Sequence, residues 1–332
     1  MRIAIVRLTS LGDIIFCMAA LQFIKRHLPE SSITWFADAK FADILDHNPD
    51  LDAVVKVKLK GLKKNLSLEK VRGEYRRVVE AGKFDVAIDL HGMLKSAVIA
   101  RKAGEVRCGF HRTVAKEPLA TFLYDRTFAP PMSITPVARY TTLAAQSLGI
   151  PFAEEELLKK SPYLFHGAGD AEASAGFFQG EGKNVLLVPG TSLGLKNYPA
   201  DRFASICNRL QANILICHGG DQELETARYI EKRCPSARIL PRLNLNQLKA
   251  AVSRADLVIG GDTGPTHIAW ANNVPVIALF GPTPVCTYPS EISRIVVPPR
   301  GIGRPMQEIE EETIVRHAEE LLQQQTRTQR EG

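Results

Sequence analysis

Short, mostly apolar runs return along this chain, and most are followed by a segment of helical spacing. Ile3–Val6, Ile33–Phe36 and Val86–Leu90 stand in the first half; Val185–Val188, Ile214–Cys217, Leu257–Ile259 and Val276–Leu279 stand in the second. Runs this short and this apolar suit strands buried on both faces. Asp13–His27, Ser96–Lys102, Asp201–Gln211, Glu223–Arg233 and Thr266–Asn272 read as the helices between them. Strands alternating with helices imply a parallel sheet covered on both sides. Two such series follow one another, and 332 residues accommodate two domains at about 150 residues each. The expectation is an α/β protein of two Rossmann-like, doubly wound domains facing each other across a cleft. Pro130–Pro136 is proline-rich, and Pro151–Gly182 mixes acidic, glycine and alanine residues. The second stretch suits a domain boundary, set at residue 160. Glu308–Gln325 reads as an amphipathic helix fading into a polar tail.

Composition removes several classes. With 45% hydrophobic and 23% charged residues the chain is not a disordered one. No run of 18 apolar residues offers a membrane span. Cys17, Cys108, Cys207, Cys217, Cys234 and Cys286 form no CxxC pair, which fits neither a zinc site nor a disulfide framework and suits a reducing compartment. Arg2, Arg7 and the run Ile14–Ala20 loosely imitate a signal peptide. Asp13 at the edge of that run, and a strand already at Ile3–Val6, favour a mature cytoplasmic protein.

The net charge of +6 is unevenly placed: Lys56 to Lys116 holds 16 lysines and arginines against 6 acidic residues. Such a balance suits nucleic acid, a membrane surface or an anionic substrate. In Val54–Lys60 the lysines alternate with apolar residues, which also describes the wet face of an edge strand. Lys63, Lys64, Arg72, Arg76, Arg77, Lys95, Arg112 and Lys116 carry the charge across further elements, which favours a binding role. Neither an RNA-binding aromatic signature nor a helix-turn-helix accompanies it, so nucleic acid is not the expected partner.

Doubly wound sheets bind ligands beyond the carboxyl ends of their strands. Four loops are placed there: 8–13, 90–96, 189–197 and 260–267. In Thr9-Ser10-Leu11-Gly12-Asp13, Ser10 and Asp13 have the spacing of a capping box, and Asp13 is also a carboxylate able to take a proton from a hydroxyl. Pro189–Pro199 combines glycines, hydroxyls and Lys196, a set suited to phosphate and equally to a plain surface loop. Gly260-Gly261-Asp262-Thr263-Gly264-Pro265-Thr266-His267 opens a helix, whose unpaired N–H groups suit a diphosphate. Gly219–Glu223 places acidic side chains where ribose hydroxyls or a helix cap would use them.

Taken together, R-L-T-S-L-G-D, D-L-H-G-M-L-K-S-A, K-E-P-L-A-T-F-L-Y, T-S-L-G-L-K-N-Y-P and G-D-T-G-P-T-H, in this order, resemble glycosyltransferase family 9, the bacterial heptosyltransferases of lipopolysaccharide core synthesis. The K-E-P-L-A-T-F-L-Y segment and the Thr191–Lys196 loop look most like members that add the first heptose to Kdo-lipid A. The resemblance implies a GT-B fold: an acceptor domain over 1–160, a donor domain over 161–305, and a C-terminal segment, 306–332, whose helix packs back on the first domain. It implies inverting transfer from ADP-L-glycero-D-manno-heptose, with Asp13 as catalytic base. Thr191, Ser192, Lys196, Glu223, Asp262, Thr263, Gly264 and His267 match its donor-binding positions. Ser10, Lys58, Lys60, Lys63, Lys64, Lys95 and Lys116 fall on the acceptor side. Lysines stand at 58–64 where the family has arginines, which gives up bidentate recognition, and Ser192 replaces a usual threonine. The implied partners are an ADP-sugar, an anionic lipid-linked acceptor and the cytoplasmic face of the inner membrane. No cofactor and no metal are expected. The readings that compete are a family 9 transferase for a later sugar, a GT-B sugar-nucleotide epimerase, and a non-catalytic nucleotide-binding or membrane-docking module.

Overall fold

The structure is a computed structural model that describes residues 1–58, 68–178, 182–190 and 196–331. It divides into two compact units, Met1–Tyr163 and Leu164–Gly332, three residues beyond the boundary expected at 160.

The first unit runs β1 (Arg2–Val6), α1 (Leu11–His27), β2 (Ser32–Asp38), β3 (Ala53–Val57), α2 (Leu68–Glu80), β4 (Phe84–Asp89), α3 (Leu94–Ala103), β5 (Gly104–Phe110), β6 (Arg126–Phe128), α4 (Pro136–Leu148) and the single turn α5 (Glu155–Leu158). All six strands are parallel, in the order β3-β2-β1-β4-β5-β6. That is the doubly wound order, with its switch point between β1 and β4. Ile3, Ala4, Ile5 and Val6 are all buried, as a central strand covered on both faces requires. Helix α1 buries ten residues between Ile14 and Ile24, more than one stripe can hold, because α4 packs along it as well. Thr135 caps α4 by accepting from the Ala138 N–H at 3.3 Å, and Pro136 opens its first turn. This fixes the register that carries Tyr140 to the start of α1.

The second unit repeats the plan with α6 (Glu172–Ala175), β7 (Asn184–Val188), α7 (Ala200–Arg209), β8 (Asn213–Ile216), α8 (Asp221–Glu231), β9 (Ala237–Ile239), α9 (Leu245–Ser253), β10 (Leu257–Gly261), α10 (Gly264–Ala271), β11 (Val276–Leu279), β12 (Ser293–Val296) and α11 (Glu311–Glu331). Its parallel sheet has the order β12-β11-β10-β7-β8-β9, so the switch point lies between β7 and β10.

Ile314, Val315, Ala318 and Leu321 form one stripe of α11, and all four are buried in the core shared by Val185, Phe203, Leu257 and Ile277. Met306 and Ile309 enter the same core, and Arg209 holds Glu312 at 2.8 Å. The apolar stripe of this helix is thus built into the core of the second unit.

Candidate active site

Asp13 sits in the first turn of α1, just past the carboxyl end of β1 and therefore at the first unit's switch point. The capping geometry read from spacing is present: Asp13 Oδ2 accepts from the Ser10 backbone N–H at 3.2 Å and from the Ser10 hydroxyl at 3.0 Å. The same carboxylate does more than cap. Arg7, the residue that follows β1, is wholly buried and places Nη2 2.6 Å from Asp13 Oδ2. Its Nη1 donates to the Leu90 carbonyl at 2.5 Å, so the guanidinium spans the ends of β1 and β4. Tyr140 donates its hydroxyl to Asp13 Oδ1 at 2.8 Å, and its ring lies 4.7 Å from the Arg7 guanidinium carbon. Lys116 Nζ stands 4.0 Å from Oδ2.

Burial acts to raise the Asp13 pKa, but the charges of Arg7 and Lys116 and the bonds from Tyr140 and Ser10 together outweigh it, holding the carboxyl well below its usual range. Asp13 is thus ionised at neutral pH while its side chain keeps 25% exposure, enough for a hydroxyl to reach it. Burial and Arg7 depress the Lys116 ammonium, with Asp13 opposing them. Nearby, His91 accepts the Leu8 N–H on Nδ1 at 3.2 Å, which assigns its own proton to Nε2. Burial, then Arg7, Lys95 and Lys116, push the His91 pKa down to about 2, so the ring is neutral. Asp89 is raised by burial and accepts from the Tyr124 hydroxyl and the His91 and Gly92 N–H groups.

Of the expected acceptor residues, the structure gathers Ser10 and Lys116 at Asp13, and Lys95 occupies the first turn of α3, near enough to act on His91. Lys58 is different. It follows β3, two strands from β1, and its N–H is bound to Glu74 at 2.7 Å; no described contact joins it to Asp13. Lys60, Lys63 and Lys64 lie outside the described residues. Three residues that the sequence reading did not single out belong to this site: Arg7, Tyr140 and Arg139, whose guanidinium is itself depressed by burial. A lone arginine ending a buried strand was the available signal, since a buried charge needs a partner.

The second unit assembles its candidates at its own switch point. Asp262, directly after β10, accepts from Lys196 and from Thr283 at 3.0 Å on Oδ2, and binds His267 Nε2 at 2.9 Å on Oδ1. Burial acts to raise the Asp262 carboxyl, yet His267 and Lys196 hold it well below the usual range. Asp262 thereby organises a lysine, a hydroxyl and an imidazole around the first turn of α10, where Thr263 is the N-cap and Gly264 the first helical residue. Lys196 is an ion-paired lysine rather than an isolated cation. Glu223, in the first turn of α8, accepts the Gly219 N–H at 2.6 Å and packs against Gly190; a Cβ there would stand 2.4 Å from Glu223 Cγ, so the loop after β7 needs glycine for this approach. Thr191 and Ser192 lie outside the described residues. No cluster of three metal-ligating side chains occurs among the described residues.

The sequence matches glycosyltransferase family 9 (heptosyltransferase) over residues 72–314. It is 31% identical to lipopolysaccharide heptosyltransferase 1 of Campylobacter coli over 297 residues, covering 86% of this chain and 85% of the relative. The protein of that name in Pseudomonas aeruginosa is 30% identical over 290 residues, 85% of this chain and 79% of its own. In structure the chain is similar to E. coli heptosyltransferase WaaC with ADP, at a TM-score of 0.81 and 23% identity, over 97% of this chain and 100% of the other. That likeness shows the fold to be GT-B.

Proposed function

The chain belongs to glycosyltransferase family 9, the heptosyltransferases, and from that premise we propose that it moves heptose from ADP-heptose to the Kdo of Kdo-lipid A in lipopolysaccharide inner-core synthesis. The observation that carries the reading is Asp13: one ionised, partly exposed carboxylate in a cationic frame, at the switch point of a doubly wound sheet. The acceptor hydroxyl attacks the anomeric carbon from the face opposite the diphosphate. The carbon–oxygen bond to ADP breaks as the new one forms, the configuration inverts, and Asp13 takes the hydroxyl proton. A carboxylate held this far down is a weak base, so it takes the proton late, once the attacking oxygen has become strongly acidic.

The leaving diphosphate gathers negative charge. Lys196 and the first-turn N–H groups of α10 are the groups assigned to receive it, with Asp262 holding Lys196 and His267 in place. Glu223 serves the nucleoside, in keeping with its position beside Gly190. Thr191 and Ser192 remain candidates for the diphosphate, and Lys60, Lys63 and Lys64 for the acceptor. Lys116, Lys95 and Arg139 supply positive charge toward an acidic sugar. The chemistry needs no cation beyond these side chains, so neither metal nor cofactor is assigned. A lipid-borne acceptor places the enzyme on the cytoplasmic face of the inner membrane as a peripheral protein; no helix among the described residues is long and apolar enough to cross a membrane.

Incubation of the purified protein with ADP-heptose and Kdo-lipid A, followed by mass spectrometry, tests this. The expected product is Kdo-lipid A carrying one added heptose. Donor consumption without acceptor would replace the reading with an epimerase, and transfer only to an already heptosylated acceptor would replace it with a later-acting transferase.

A further inference from the structure

Residues 111–125 join β5 to β6 and contain the 3-10 turn Pro118–Leu123. Leu119 and Phe122 on that turn are 63% and 81% exposed. In a 3-10 turn residues three apart eclipse one another, so both side chains leave from one face. The turn is pinned rather than loose. Glu117 N–H donates to the Gly92 carbonyl at 3.0 Å, and Glu117 Oε2 receives the Leu94 N–H at 2.7 Å. Ala120 is fully buried between the two exposed residues in sequence. Tyr124 closes the far end: its hydroxyl binds buried Asp89 at 2.7 Å, and its ring lies where a Cβ on Gly109 would be, at 2.4 Å. The fold thus holds a leucine and a phenylalanine rigidly in water, beside partly exposed Leu94 at the start of α3, which packs against the turn.

Charge surrounds this apolar pair. Arg112 and Lys116 precede it on the same segment and are exposed, and Lys95 follows Leu94. Glu117 and Asp125 are the acidic residues of this connection; Glu117 accepts the Leu94 N–H and Asp125 is paired with Arg107. Lys116, two residues before the turn, reaches within 4.0 Å of Asp13. Apolar side chains rimmed by cations are the chemistry of an interfacial membrane contact.

We propose that Leu119 and Phe122 insert into the headgroup region of an anionic bilayer, with Arg112 on its phosphates and Lys116 and Lys95 left to the acceptor, so that the first unit docks with Asp13 at the level of a membrane-borne acceptor. The proposal rests on the reading that the acceptor is lipid-linked. Its chemistry is that of a lipid surface of negative charge, not of one particular lipid.

Cosedimentation with vesicles of equimolar phosphatidylcholine and phosphatidylglycerol reads it directly. Wild type is expected to bind them, and more weakly as salt rises. The double variant Leu119→Ser/Phe122→Ser is expected to bind about tenfold or more weakly, the scale for two partly inserted side chains. Arg112→Ser is expected to lose about fivefold and to flatten the salt dependence. Both variants should unfold at the wild-type temperature and turn over an acyl-free, water-soluble acceptor at the wild-type rate. Vesicle binding unchanged in the double variant, or absent in wild type, overturns the proposal. So does a wild-type dimer that the double variant converts to monomer while vesicle binding persists, which would make this face a protein interface. If wild type fails on the soluble acceptor, the transferase reading fails, and the vesicle result still decides docking on its own.

Discussion

Replacing Arg7 with methionine keeps an unbranched side chain under Asp13 and removes its closest cation. In the native protein burial is the largest single influence on the Asp13 carboxyl, and Arg7 is the largest of those opposing it. Without Arg7, Asp13 retains Lys116 at 4.0 Å and the bonds from Tyr140 and Ser10. Breaking a buried pair by removing one partner costs about 3–5 kcal/mol; with Asp13 a quarter exposed, about 3 kcal/mol is expected at neutral pH. For a unit of this size that lowers the melting temperature by roughly 6–12 °C. The pH dependence gives the sharper test. In wild type the folded-state pKa of Asp13 lies below its unfolded value, so its stabilisation is present above about pH 4 and lost as pH falls through the folded pKa. In the variant the largest opposing charge is gone, so the folded-state pKa of Asp13 is less depressed than in wild type and its ionised form contributes less stability. Urea unfolding of both proteins at about pH 7 and about pH 3 should therefore show a stability gap that narrows in acid, where wild type loses more of the Asp13 contribution. A gap of equal size at both would refute the ion-pair account of Asp13.

Two further outcomes follow from the second unit and from the chemistry. Asp262→Asn leaves Lys196 and His267 without their carboxylate and should cost about 2 kcal/mol at neutral pH. Because the Asp262 pKa is depressed in the folded state, that loss should shrink as pH drops below about 4; denaturation curves showing a constant loss would contradict it. Turnover should survive EDTA, since side chains and helix N–H groups are assigned the leaving charge; activity abolished by EDTA and restored by Mg²⁺ would reject that assignment.

Central strands were legible because their environment leaves one pattern. Val276–Leu279 has the bounds read from its apolar run, and Ile3–Val6 gains only Arg2. The edge strands β6 and β9 were not legible: each is three residues long, and Arg-Thr-Phe or Ala-Arg-Ile carries no period. Helix α4 was hidden by its approach, since Pro130–Pro136 reads as loop until Thr135 is seen to cap and Pro136 to open a helix ended by Gly149 at φ 70°. With α4 unread, Tyr140 could not be placed beside Asp13. Ser10 and Asp13 showed their capping from spacing alone, but the ion pair with Arg7 needed the strand end brought under the helix start. Arg7 itself looked like the charged flank of a signal peptide. Lys196 and Asp262 each sit in a loop that the sequence marks, but they are 66 residues apart and their pairing leaves no local signal. Only the switch point between β7 and β10 makes neighbours of their loops.

The account turns on Asp13 as the group that takes the acceptor's proton while ADP is held by the other unit. Asp13→Asn, studied by calorimetric ADP titration and by single-turnover transfer, tests both parts in one protein. The expected result is ADP affinity within about twofold of wild type and transfer slower by about a thousandfold. Transfer at a rate close to wild type, or ADP affinity lost in step with it, would contradict the account.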